Sequence, residues 1–194
     1  VAHALSARFN APLIVANYSR LVIDCNRHPG AAGSIPSVSD NTVVPGNKNL
    51  SDNATASRKN EIFDTYHSSI GRQISVMRSE NKTPILISLH SFTPVISGQF
   101  RPWEIGILWK DDRRLSTPLI KKLREQKELN IGDNKPYSGS EPAGYTIDYH
   151  VEPLNLLSVA VEFRQDLIEF ESGAVRWANI FGDALDHVLD TKIS

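Results

Sequence analysis

The run Pro84-Ile85-Leu86-Ile87-Ser88-Leu89 constrains this chain most. It is apolar almost without break, too short for a helix, and closes on polar His90-Ser91. A run of that kind reads as the central strand of a sheet buried on both faces, and such a sheet needs helices packed over it. The rest of the sequence supplies them. Val1, Ala4, Leu5 and Phe9 share one face of an opening helix that ends near Arg8. Ser51 with Asp52 caps a second helix reaching about Glu80, with Ile62, Phe63, Tyr66, Ile70, Ile74 and Met77 as its apolar stripe. Ser116-Thr117-Pro118 opens a third, a hydroxyl cap with proline in the first turn, continuing through Leu119, Ile120 and Leu123. A last helix over residues 173–189 presents Val175, Trp177, Ala178, Phe181, Ala184, Leu185 and Val188. Further strand candidates are residues 13–16, 21–24, 104–109 and 157–162. The alternation predicts one α/β domain over residues 1–194, three-layered, with a mostly parallel or mixed sheet flanked by helices. Two loops rich in Gly, Pro and Ser, residues 29–50 and 134–144, interrupt it, and loops that long are usually functional or disordered.

Charge and composition narrow the function. With 21 Lys+Arg against 22 Asp+Glu the net charge is −1, so no strong field draws nucleic acid or an anionic membrane. Apolar residues at 40% and charged residues at 22% argue against disorder. Apolar runs fall far short of the roughly 20 residues of a membrane-spanning helix. The single cysteine, Cys25, excludes an internal disulfide and a cysteine-built zinc site, and fits a reducing, cytoplasmic setting. The expected partner is a small molecule; homo-oligomerisation is left open.

In open α/β sheets ligands bind at the carboxyl ends of strands. Residues 21–24 end at Asn26-Arg27, with Arg20 just before them; residues 84–89 end at His90; residues 157–161 end at Glu162, followed by Arg164. Arginine grips a carboxylate as a planar fork, neutral histidine ligates zinc, and a glutamate beside a metal takes a proton from bound water. Together they suit a metal-assisted hydrolase with a carboxylate-bearing substrate. Each also has a plainer reading: His90 as a satisfied structural histidine, Asp24 as a turn acceptor, Arg27 in a surface ion pair, Glu162 solvated at a strand end. His67, near Phe63 and Ile70, reads as packed or at the surface rather than as a ligand. There is no G-x-S-x-G elbow, no phosphate loop and no G-x-G-x-x-G. Cys25 with apolar neighbours reads as inert.

Four segments carry a resemblance: Asn17-Tyr18-Ser19-Arg20-Leu21-Val22-Ile23-Asp24-Cys25-Asn26-Arg27, His90-Ser91-Phe92-Thr93-Pro94, Asp133-Asn134-Lys135-Pro136-Tyr137-Ser138-Gly139 and Glu162-Phe163-Arg164-Gln165-Asp166-Leu167-Ile168. In that order, over nearly the whole chain, they resemble the N-formylglutamate amidohydrolase family, itself similar to zinc carboxypeptidases and aspartoacylases. The resemblance implies a zinc-carboxypeptidase-like fold and hydrolysis of an N-formyl or N-acyl amino acid, N-formylglutamate giving glutamate and formate. It implies one zinc ion with His90 as its last ligand, Glu162 as general base, Arg20 polarising the scissile carbonyl, and Asn26-Arg27 holding a substrate carboxylate. Tyr137 is the candidate to close over substrate, with Tyr145 and Tyr149 as competitors; His150 and Arg164 are further candidate substrate contacts. The related enzymes draw two more zinc ligands from an N-terminal segment with no counterpart here, so the resemblance implies a domain lacking that segment, with those ligands upstream of Val1. Two alternatives remain: a catalytically silent carboxylate-binding protein, and a deacylase of another N-acyl amino acid.

Overall fold

The computed structural model describes residues 1–140 and 144–193. In chain order its elements are α1 (Ala2–Phe9), β1 (Val38–Ser39), β2 (Thr42–Val43), α2 (Asp52–Arg58), α3 (Asp64–Ser79), β3 (Ile85–Phe92), β4 (Val95–Ile96), β5 (Gln99–Phe100), β6 (Ile105–Leu108), α4 (Ser116–Leu123), β7 (Ile131–Asp133), α5 (Tyr145–His150), β8 (Leu157–Arg164) and α6 (Glu171–Ile193). They gather into two compact units, one from residues 1–13, 85–142 and 157–194, the other from residues 14–84 and 143–156. Among the described residues no helix is long and apolar enough to cross a membrane.

The first unit is built on a mixed sheet of order β3-β8-β6-β7, with β3 parallel to β8, β6 antiparallel to β8 and parallel to β7. This is the expected α/β arrangement, a mixed sheet flanked by helices. Alternate residues point to one face. Val159, Val161 and Phe163 of β8 and Ile105 and Ile107 of β6 form a core with Leu119 and Leu123 of α4 and Trp177, Phe181 and Leu185 of α6. Burying a side chain such as Phe181 contributes roughly 1.5–3 kcal/mol. The apolar face expected of α1 is realised: Leu5 is buried in this core, and Val1, Ala4 and Phe9 pack against it. Arg8 fastens α1 to α6 through Asp183 at 2.7 Å and Asp186 at 2.9 Å.

Several expectations are corrected. Strand β3 stands first in the sheet order rather than in its middle. Its apolar run is only half-buried, with Ile85, Ile87 and Leu89 packing against the core on one face. Ser116 begins α4, but its hydroxyl makes no capping bond. Val175 faces solvent, because the helix continues at 100° per residue past the edge of the core-facing stripe. Strand β7 and the β4–β5 hairpin are not among the strands expected from the sequence. The 134–144 loop is described except for residues 141–143, which lie outside the described residues.

In the second unit, residues 13–16 and 21–24 are not strands. The first run is not buried: Val15 is largely exposed. In the second, local bonds replace a ladder. Val22 N–H donates to the Ser19 carbonyl at 2.8 Å, Arg27 N–H to the Asp24 carbonyl at 3.2 Å, and Asn26 N–H to Asp24 Oδ1 at 2.9 Å. The long helix is present and Ser51 Oγ caps it, accepting from Ala54 N–H at 3.2 Å. A π-helical turn over Lys59–Phe63 divides it into α2 and α3. Phe63, His67, Ile70 and Ile74 are its buried face.

Candidate active site

In the first unit the ladder registers His90 of β3 beside Glu162 of β8, Glu162 beside Gly106 of β6, and Gly106 beside Gly132 of β7. Side chains in one cross-strand row leave the sheet on one face, and neighbouring strands lie about 4.8 Å apart. This is the face opposite Val161 and Ile107, away from the apolar core. An imidazole and a buried carboxylate are thus immediate neighbours at the carboxyl ends of two parallel strands. His90 Nε2 bonds Ser88 Oγ at 2.8 Å, two residues back on the same face.

The glycines in that row let a loop descend onto the sheet. A Cβ at Gly106 would lie 2.0 Å from the Lys135 carbonyl oxygen, and one at Gly132 would lie 2.6 Å from it. Asn134, at φ 55°, anchors the loop: its Oδ1 accepts from Trp109 N–H at 2.9 Å and Gly139 N–H at 3.0 Å. Asp133 Oδ1 accepts from the Trp109 indole at 2.7 Å, and the Lys135–Pro136 peptide is cis. The loop carries Tyr137, whose hydroxyl accepts from Arg101 Nη1 at 2.7 Å.

Sequence reasoning missed Arg101. It follows the β4–β5 hairpin, whose Ser97-Gly98 turn has both residues at positive φ (48° and 75°), and its N–H donates to the Pro94 carbonyl at 2.8 Å. The Ser-Gly pair between Val95-Ile96 and Gln99-Phe100 is a hairpin signal that could have located the turn before it. Arg164, a candidate substrate contact, lies two residues beyond Glu162. Its Nε bonds Asp166 at 2.8 Å and its Nη1 the Pro102 carbonyl at 3.2 Å.

In the second unit Asp24 Oδ2 receives Arg20 Nε at 2.8 Å and lies 3.9 Å from Arg27 Nε. One carboxylate between two guanidiniums leaves an excess positive charge beside Asn26. Asn26 Oδ1 accepts from Thr146 N–H at 3.1 Å and its carbonyl from Tyr145 N–H at 3.2 Å, so it holds the start of α5. Asn47 and Arg58 brace the segment before it. Asn47 Nδ2 donates to the Leu21 and Pro36 carbonyls, both at 2.7 Å, while Arg58 Nη1 reaches the Val22 carbonyl at 2.8 Å and Asn47 Oδ1 at 2.6 Å.

His150, another candidate substrate contact, is buried against His67. His67 Nε2 meets the Cys25 carbonyl at 2.7 Å, and its Nδ1 meets His150 Nε2 at 3.0 Å. A carbonyl only accepts, so the proton sits on His67 Nε2, and His150 Nε2 donates to His67 Nδ1. Both rings are neutral in this arrangement. Burial lowers the pKa of His67 despite its bond to the Cys25 carbonyl, and burial with the His67 ring beside it lowers that of His150 to about 4. The π turn explains how one helix reaches two points of the same segment. Arg58 and His67 are nine residues apart, about 180° around a uniform helix; one extra residue in a wide turn reduces that to about 80°. Cys25 is buried, and that burial, with Asp24 adding, raises its thiol to about 11, so it is inert as expected. His67 is packed, also as expected.

A zinc site takes three protein ligands when catalytic and four when structural. His90 has the right chemistry for one of them, with Ser88 placed as an outer partner to its ring. Among the described residues no three His, Cys, Asp or Glu side chains converge, so these residues alone do not make up the donor set.

Residues 1–169 match the family described as N-formylglutamate amidohydrolase. No curated protein matches the chain. Among solved structures, that of a gene product from Agrobacterium tumefaciens superposes with a TM-score of 0.94 at 31% identity, covering 100% of this chain and 76% of that one. An N-formylglutamate amidohydrolase from Ralstonia eutropha superposes with a TM-score of 0.56 at 14% identity, covering 92% of this chain and 70% of that one; this second likeness is one of fold.

Proposed function

The chain belongs to the N-formylglutamate amidohydrolase family, and on that premise we propose that it hydrolyses the amide bond of an N-formyl or N-acyl amino acid, N-formylglutamate to glutamate and formate in the first instance. The observation that carries the reading is the register pairing of His90 with Glu162 on one sheet face. Glu162 acts as general base on the attacking water and then protonates the leaving amine. Arg20 supports the developing oxyanion, a contribution of about 10²–10³ in rate for one such donor. Asn26 and Arg27 hold a substrate carboxylate, favoured by the excess positive charge around Asp24. Tyr137 and Arg164 complete the substrate surroundings, and His150 acts on Asn26 through His67 and the Cys25 carbonyl. One zinc ion, with His90 among its ligands, belongs to the proposal and when bound supplies an acidified water and a polarised carbonyl. A cytoplasmic location belongs to it too, supported by a lone buried cysteine.

The test is release of formate from N-formylglutamate by the zinc-treated protein, alongside N-acetyl and longer acyl derivatives of Glu and Asp, with metal content measured in parallel. Turnover with about one zinc per chain, lost together in His90→Ala, is the expected result. Less than a tenth of an equivalent of zinc and no hydrolysis of any derivative overturns the reading in favour of a silent carboxylate-binding protein. Preference for a longer acyl group assigns the deacylase alternative.

A further inference from the structure

We infer that Arg101, with Tyr137, forms the subsite for the side-chain carboxylate of an acidic N-acyl amino acid. The inference rests on the amidohydrolase reading and deepens it. Arg101 is 6% exposed. Its Nε donates to the Thr93 carbonyl at 2.8 Å, Nη1 to the Tyr137 hydroxyl at 2.7 Å, and Nη2 to the Thr93 hydroxyl. Phe92 and Tyr137 flank it, each ring centroid 5.2 Å from Cζ. Every one of these partners is neutral, and among the described residues no carboxylate pairs with it. The contrast lies close by: Arg8, Arg114 and Arg164 are each answered by an aspartate.

A guanidinium withdrawn from water without a counter-ion is costly, and an entering anion offsets that cost. Arginine has five N–H donors and three are engaged, which leaves one further N–H on each terminal nitrogen for the two oxygens of a carboxylate. The placement fits the chemistry. Phe92 lies two residues beyond His90, on the same face of β3, about 6.6 Å further along the strand. Tyr137 rides on the loop that descends onto Gly106, the direct neighbour of Glu162 in its row. The cation therefore stands just past the strand ends that carry the proposed base, on the same side of the sheet.

The test compares N-formylglutamate with N-formylglutamine, equal in shape and neutral in the side chain. The wild type is expected to favour the acid by at least tenfold in kcat/KM, and Arg101→Met to abolish that preference while Arg101→Lys keeps part of it. Equal loss on both substrates in Arg101→Met, with thermal unfolding showing folded protein, makes Arg101 a pin for the hairpin and overturns the subsite while the hydrolase reading stands. Absence of turnover of any N-acyl amino acid overturns the hydrolase reading. The subsite is then decided by calorimetric binding of glutarate against its monoamide: a preference for glutarate lost in Arg101→Met supports it, and equal binding overturns it.

Discussion

His90 and Glu162 face out of the sheet side by side because β3 and β8 run parallel in a register that pairs them directly. A slip of this register by one residue would separate the pair and turn one strand's inward residues away from the apolar core; the hydrophobic alternation of β8, with Val159, Val161 and Phe163 inward, prevents that slip. The core therefore fixes the chemistry on the opposite face.

Glu162→Gln preserves shape and removes the base. Turnover of N-formylglutamate is expected to fall by about 10²–10⁴ with zinc content unchanged, read by steady-state kinetics and elemental analysis. Wild-type rates in this variant remove Glu162 from the mechanism.

Gly106→Ala places a Cβ 2.0 Å from a backbone oxygen that has no room to retreat without moving the loop. Urea unfolding is expected to show a loss of about 3 kcal/mol, at the upper end for overpacking. Gly46→Ala, with nothing within 4 Å, is the control and should change stability little. Equal midpoints for the two variants would contradict the described loop position.

Arg58→Ala deprives the Val22 and Gly46 carbonyls and Asn47 Oδ1 of their shared donor. The expected cost is about 2–3 kcal/mol by denaturant unfolding. Arg58→Lys should restore less than half of it, since an ammonium cannot reproduce the planar fork.

The His67–His150 pair predicts acid sensitivity. Folding holds both rings below the ordinary histidine pKa of about 6.5, so the unfolded chain binds more protons as pH falls. Their contribution is complete above about pH 6.5 and is lost as pH falls towards about 4, where His150 titrates in the folded state. Chemical unfolding between pH 7 and pH 4.5 should weaken the wild type more than His150→Gln. Parallel curves would show that folding does not displace the titration of His150, and would overturn the prediction.

Much of this was legible. Periodicity located α1, α6 and the long helix, and apolar runs located β3, β6 and β8, because burial of one face imposes a spacing on the sequence. The family-like segments held Asn26, His90 and Glu162. Residues 21–24 misled, since an apolar run in a turn braced by Asn47 and Arg58 reads like a short strand. Arg101 was missed because its significance lies in what surrounds it, the Phe92 and Tyr137 rings with no carboxylate paired to it among the described residues, and the Tyr137 contact joins positions 36 residues apart.

The sequence by itself determined the α/β class, the Ser51 cap and the helix stripes, and the residue types able to do hydrolytic chemistry, all of which are set by near neighbours along the chain. Tertiary structure alone decided that His90 stands beside Glu162, that two glycines clear space for the Lys135 carbonyl, and that Arg101 is buried with no carboxylate paired to it among the described residues. Strand register and the burial of a charge arise from packing between distant segments, and no local pattern records them.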